Sequence, residues 1–128
     1  MGLQSARSKP TIDNQIPHGD LTSYYNWVNL QYMDDIHLDF QLLKEPLMTH
    51  LDETGIHHAV LKDAEELLVD HEATFNLYTP MIDEIFLLAS RLQPNSVFGL
   101  QGRGEELRDV WVREYHAGEV TYSQGPSE

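Results

Sequence analysis

Residues 79 to 93 constrain the fold more than any other stretch, because Met81, Ile82, Ile85, Phe86, Leu87, Leu88 and Leu92 would wrap most of a helix built there. A helix that is apolar almost all round has to be buried, so the other elements must pack around it. Thr79-Pro80 supplies a hydroxyl N-cap and a proline at the first helical position, and Asp83 and Glu84 suit the positive end of the helix dipole. Pro94-Asn95 ends it.

The segments before this helix are also read as helical. Residues 45 to 53 fit a short helix that begins near Pro46 and stops at Thr54-Gly55, where glycine supplies a left-handed cap. A second apolar face runs through Ile56, Val60, Ala64, Leu67, Leu68 and Phe75, and leaves His58, Lys62, Glu65, Glu66 and Glu72 toward solvent. Residues 24 to 43 carry two periodicities at once. Trp27 to Tyr32 and Ile36 to Leu42 alternate apolar with polar, as two half-buried strands joined across Met33-Asp34-Asp35 would. Tyr25, Val28, Tyr32, Ile36, Phe40, Leu43, Leu47 and Leu51 recur at three- and four-residue steps, as one face of a long helix would. The aromatic and branched content, with Pro46 breaking a continuous helix, favours the hairpin.

After the central helix the pattern changes to strands. Residues 96 to 101 form one, and residues 106 to 115 pair with residues 119 to 124 across His116-Ala117-Gly118. That register sets Val112 opposite Tyr122 and Glu114 opposite Val120, which makes Val110, Val112, Val120 and Tyr122 the core side. Trp111, Arg113 and Tyr115 then share the opposite face, and a bulge at the turn would exchange the two. The expected fold is a single α+β domain over residues 21 to 128, with two to three helices packed on an antiparallel sheet that ends in a C-terminal three-stranded meander. Residues 1 to 20, polar and broken by Pro10, Pro17 and Gly19, are expected to be a flexible arm.

Charge narrows the function classes. The chain carries a formal net charge of -13, and residues 34 to 84 hold 13 Asp/Glu against only Lys44 and Lys62. Like-charged surfaces repel at long range, so bare nucleic acid and anionic membrane are disfavoured as direct partners. With no cysteine, disulfides, thiolate zinc sites and cysteine nucleophiles are excluded, and a reducing cytoplasm is the expected location. The longest wholly apolar run, residues 85 to 89, is far short of the roughly 20 residues a membrane span needs. Met1 to Ala6 shows neither an apolar signal core nor a myristoylation pattern, so the protein is expected to be soluble and unanchored.

Motifs for catalysis are weak. Asp35, His37 and Asp39 would share one strand face and could bind a divalent cation, but a further ligand is missing from the sequence. His57 and His58, with Asp63, Asp70 and His71, suggest a hydrolytic metal centre, yet no HExxH is present and adjacent helical residues point about 100° apart. Gly99, Gly102 and Gly104 lead into Glu105-Glu106, which opposes a phosphate cradle. No cofactor is expected.

What remains is binding. Solubility would be served by dispersed charge, so the concentration of carboxylates in mid-chain favours recognition of a basic surface. The expected function is a small acidic binding or inhibitor protein, of the immunity-protein, antitoxin or mobile-element-inhibitor kind. Such a protein would occupy the basic surface of a partner that itself binds or cuts nucleic acid, acting as a nucleic-acid mimic. Asp34, Asp35, Asp39, Glu65, Glu66, Asp70 and Glu72 are the expected contact acids, with Trp111, Arg113 and Tyr115 as apolar anchors. Seven histidines, several among carboxylates, would lower the charge to -6 if all were protonated, so charge-driven association should weaken between about pH 7 and pH 5.5. The alternatives are a small metal-dependent hydrolase and a structural subunit or homodimer without catalysis.

Overall fold

The computed structural model describes residues 24–106 and 109–125, so the expected N-terminal arm lies outside the described residues. Strand β1 (Tyr25–Tyr32) leads into α1 (Phe40–Thr54) and α2 (Ala59–Asp70), then β2 (Glu72–Asn76) and α3 (Thr79–Leu92), and β3 (Phe98–Arg103), β4 (Val110–His116) and β5 (Glu119–Gln124) follow. The five strands form one antiparallel sheet in the order β2-β1-β3-β4-β5. Three helices cover one face: α2 packs on β2 and β1, α3 on β4 and β5, and α1 lies against α2 and α3. This is the α+β arrangement expected, including the β3-β4-β5 meander.

Residues 24 to 43 divide between the two periodicities. Strand alternation holds through β1, whose Asn26, Val28 and Leu30 point inward, while the three- and four-step pattern becomes real only from Phe40 onward. The expected second strand of a hairpin over Ile36–Leu42 is absent. Asp39 instead caps α1, its carboxylate accepting from the Gln41 amide at 3.0 Å, and the helix buries Leu43, Leu47 and Leu51. Pro46 sits inside α1 without ending it. A proline costs an interior hydrogen bond, yet here the buried leucine stripe on either side outweighs it. The stop at Gly55 is as expected, with φ +74° and its amide reaching back to Asp52 and Leu51.

The α2 face ends sooner than its apolar spacing suggests. His71 takes a left-handed conformation (φ 65°) as the cap of α2, so Phe75 belongs to β2 and reaches the core from the sheet. In α3 the cap is Tyr78 rather than Thr79, which lies within the first turn, buried, its hydroxyl without a hydrogen bond among the described residues. Ile82, Ile85, Phe86 and Ala89 are buried as expected of a central helix, while Met81 and Leu92 are exposed.

The C-terminal hairpin corrects the expected faces. Ala117 and Gly118, both at positive φ, make a two-residue turn that pairs His116 with Glu119, and a bulge between Glu114 and Tyr115 sets Glu114 opposite Tyr122. Trp111, Arg113 and Tyr115 pair with Gly102 and the buried Leu100 and Phe98 of β3 and so face the helices, and Val110 and Tyr122 face solvent. Burying an indole and a phenol removes more apolar surface from water than burying two valines, provided the polar atoms find partners. They do. Trp111 Nε1 donates to Asn26 Oδ1 at 3.0 Å, Tyr115 Oη donates to Asp83 Oδ1 at 2.6 Å, and Arg113 Nε donates to Asp83 Oδ2 at 3.2 Å.

Candidate functional site

The loop between β1 and α1 crosses the end of the molecule where α2 gives way to β2. Met33 N donates to Val97 O at 2.8 Å, Ser96 Oγ to Ile36 O at 2.7 Å, and Asp39 N to Gln93 Oε1 at 2.7 Å, so the loop is fastened to the segment after α3. On its other side it meets His71, whose carbonyl accepts from Leu30 N at 2.9 Å. The meeting point is a cluster of rings. Tyr32 and His37 stack with centroids 3.9 Å apart and planes within 7°, and His71 stands edge-on to both, 5.7 Å from Tyr32 and 6.2 Å from His37. Tyr32 Oη accepts from Leu38 N at 3.1 Å. Burial raises the pKa of this phenol, against a smaller lowering from the Leu38 bond.

Around these rings the chain gathers carboxylates from three elements. Asp34, which accepts from Ile36 N at 3.0 Å, and Asp35 belong to the loop; Asp70 ends α2; and Glu72 opens β2, paired with Asn29 and so turned to the sheet face away from the helices. Glu65 and Glu66 continue the charge along the solvent side of α2, opposite the buried stripe of Val60, Ala64 and Leu67. All six are exposed. Asp39 is exposed too, but its carboxylate is engaged as the α1 cap. The ion pairs shown among the described residues involve Asp52 with His58, Asp83 with Arg113, and Glu84 with His50, and none of the six carboxylates takes part in one. Repulsion is felt locally: Asp63, half-buried on α2, has its pKa raised by desolvation and by Glu66, with Lys62 opposing.

The expected apolar anchors lie elsewhere. Trp111 and Tyr115 have no solvent exposure and Arg113 has 6%, so none of the three forms part of the exposed acidic end. Arg113 also spans to the last strand, its Nη1 donating to Val112 O, Gln124 O and Gly125 O.

The histidines weighed as metal ligands in the hydrolase alternative are separated by the fold. His57 and His58 precede α2 and His71 follows it, and a 12-residue helix holds its ends roughly 18 Å apart, too far for one ion. His58 Nε2 contacts Asp52, and His57 Nδ1 accepts from Ala59 N at 3.0 Å. Asp35, His37 and Asp39 lie on a loop rather than a strand face, and among the described residues no group of three His, Asp or Glu side chains is placed to hold a metal ion. No helix among them is long and apolar enough to cross a membrane.

One surface went unnoticed in the sequence. The sheet face away from the helices is uncovered and carries a groove of about 380 Å³ lined by Trp27, Asn29, Gln101, Gly102, Arg103 and Val110. Trp27 is 42% exposed, with Tyr25 edge-on at 4.9 Å and the Arg103 guanidinium 5.5 Å from its ring centre. The signal was there in the β1 alternation, which points Trp27 away from Val28 and Leu30. No protein-family model matches the chain, and neither curated proteins nor solved structures gave a match.

Proposed function

We propose that this is a small binding protein that acts by occupying a basic surface on a partner protein, and that Asp34, Asp35, Glu65, Glu66, Asp70 and Glu72 form its contact face. One observation carries the reading. Asp34 and Asp35 of the loop and Asp70 at the end of α2 belong to the segments that meet at the Tyr32, His37 and His71 rings, Glu65 and Glu66 follow along the exposed side of α2, and Glu72 opens onto the outer sheet face, all exposed and outside the ion pairs of the described residues. Leaving like charges together costs stability, so such a grouping is better explained by a cationic partner than by solubility. A partner that binds or cuts nucleic acid presents a basic groove of this kind, and an acidic face that fills it would act as a mimic and an inhibitor. The encounter would take place in the cytoplasm, where a cysteine-free chain needs no oxidising machinery.

The test is capture from the native host at low and high salt, with wild type beside a variant carrying D34N, D35N, E65Q, E66Q, D70N and E72Q. A basic protein retained by wild type at low salt, released by salt and lost with the variant supports the reading. Capture that is indifferent to both salt and the six substitutions overturns it.

A further inference from the structure

We infer that the free edge of β2 is a strand-addition site, on which an extended basic segment of a partner protein pairs its main chain with Glu72, Thr74 and Asn76. The inference rests on the acidic-face reading and gives that partner a backbone conformation.

Hydrogen-bond phase fixes which backbone groups are free. The register sets Leu30 beside His71, one step beyond the pair of Asn29 with Glu72, and Leu30 N donates to His71 O at 2.9 Å. Bonded and non-bonded pairs alternate in an antiparallel ladder, so Val28 with Ala73 and Asn26 with Phe75 are the bonded pairs of β1 and β2. The other side of β1 agrees. Met33 N donates to Val97 O at 2.8 Å, which assigns the odd-numbered residues of β1 to β3 and leaves the even-numbered ones to β2. Glu72, Thr74 and Asn76 therefore turn both amide and carbonyl outward at the end of the strand order, where they take no hydrogen-bond partner among the described residues.

The two edges of the sheet differ. On β5 the register with β4 is broken by a bulge, and the carbonyls of Gln124 and Gly125 already accept from Arg113. A bulge blunts an edge, whereas β2 keeps an unbroken register over its five residues and contains neither lysine nor proline. Charge then selects the occupant. Asp70 lies two residues before Glu72 at the start of the edge, and both are exposed and outside the ion pairs of the described residues. A second copy would bring its own Asp70 and Glu72 to the same edge, on a chain of net charge -13, and like charges repel. In an added strand the residue opposite Glu72 has its side chain on the same face, roughly 5 Å away between Cβ atoms, so arginine or lysine there gains a cross-strand ion pair. That residue also exchanges its amide and carbonyl with Glu72. Main-chain bonds supply the affinity, and the basic side chain supplies the choice of partner.

Titration of the full chain with a blocked octapeptide of alternating arginine and threonine, up to about 1 mM, tests this. We expect saturable binding that weakens with salt, and none with a glutamate-threonine octapeptide. N-methylation of the arginine amides keeps the charge and removes the groups that would pair with β2, so it should weaken binding at least about tenfold. Thr74→Pro deletes an outward amide that β1 does not use, so the sheet should stand, as circular dichroism would show, while binding falls at least about tenfold. Amide exchange needs no variant. In the wild type the amides of Thr74 and Asn76 should exchange fast alone and slowly with the arginine peptide, and those of Ala73 and Phe75 slowly in both. Equal binding of methylated and unmethylated peptide, equal binding by T74P, or no new protection at Thr74 and Asn76 overturns strand addition and leaves the acidic-face reading standing. Failure of the arginine peptide to bind overturns it too. Edge protection that the glutamate peptide produces equally, at any salt, overturns both.

Discussion

At Arg113 a guanidinium is buried beside Asp83, with Tyr115 on the other oxygen of the same carboxylate. Removing one member of a buried pair leaves the other charged and unsolvated, so Asp83→Ala should cost about 3 kcal/mol in denaturant unfolding. Tyr115 has its pKa raised well above the ordinary phenol value, first by burial and then by the Asp83 charge. Because the unfolded phenol ionises first, stability from this group is complete below about pH 10 and is lost as pH rises beyond it. Absorbance at the phenolate band should therefore show Tyr115 ionising only with unfolding. Gly102 allows the closest approach in the core: a Cβ there would lie 2.0 Å from the Trp111 ring. Gly102→Ala should destabilise by about 2 to 3 kcal/mol, read as a lowered Tm. Thr79→Val should do the reverse, gaining about 1 kcal/mol by removing a buried hydroxyl that lacks a bond. None of these four roles could be read from composition, since each depends on what the opposite element brings.

At the scale of elements, local signals were legible where they act locally. Gly55 ends α1, Pro80 opens α3, and the alternation of β1 survives intact because each is fixed by backbone chemistry within a few residues. Asp39→Ala should confirm the unforeseen cap with a loss of about 1 kcal/mol in stability. Signals that compete over distance were not legible. Pro46 was weighed as a helix breaker, but the burial that rescues it comes from α2 and α3, which nothing near residue 46 announces. The face of β4 turned on its register with β3, which sets Arg113 and Tyr115 opposite Leu100 and Phe98, and on whether Arg113 had a buried anion waiting for it. The candidate site shows the same division: its acids could be named in sequence, whereas the ring cluster that joins loop to junction needs Tyr32, His37 and His71 to meet in space.

Across the whole molecule the layers separate two kinds of surface. The helical side and the loop end hold most of the carboxylates, and the open sheet face holds Trp27, Val110 and Arg103, with Glu72 beside Asn29. Neutralising the six carboxylates of the acidic end should leave the fold intact and raise its Tm at low ionic strength, since like-charge repulsion is relieved. The gain should fade in molar salt, and thermal melts at both ionic strengths would show it. Arg113 has a different consequence for handling the protein. Its grip on the carbonyls of Gln124 and Gly125 makes those residues a latch for the molecule's interior. Deletion back to Ser123 should open the domain to proteases at the very strand that looks most dispensable.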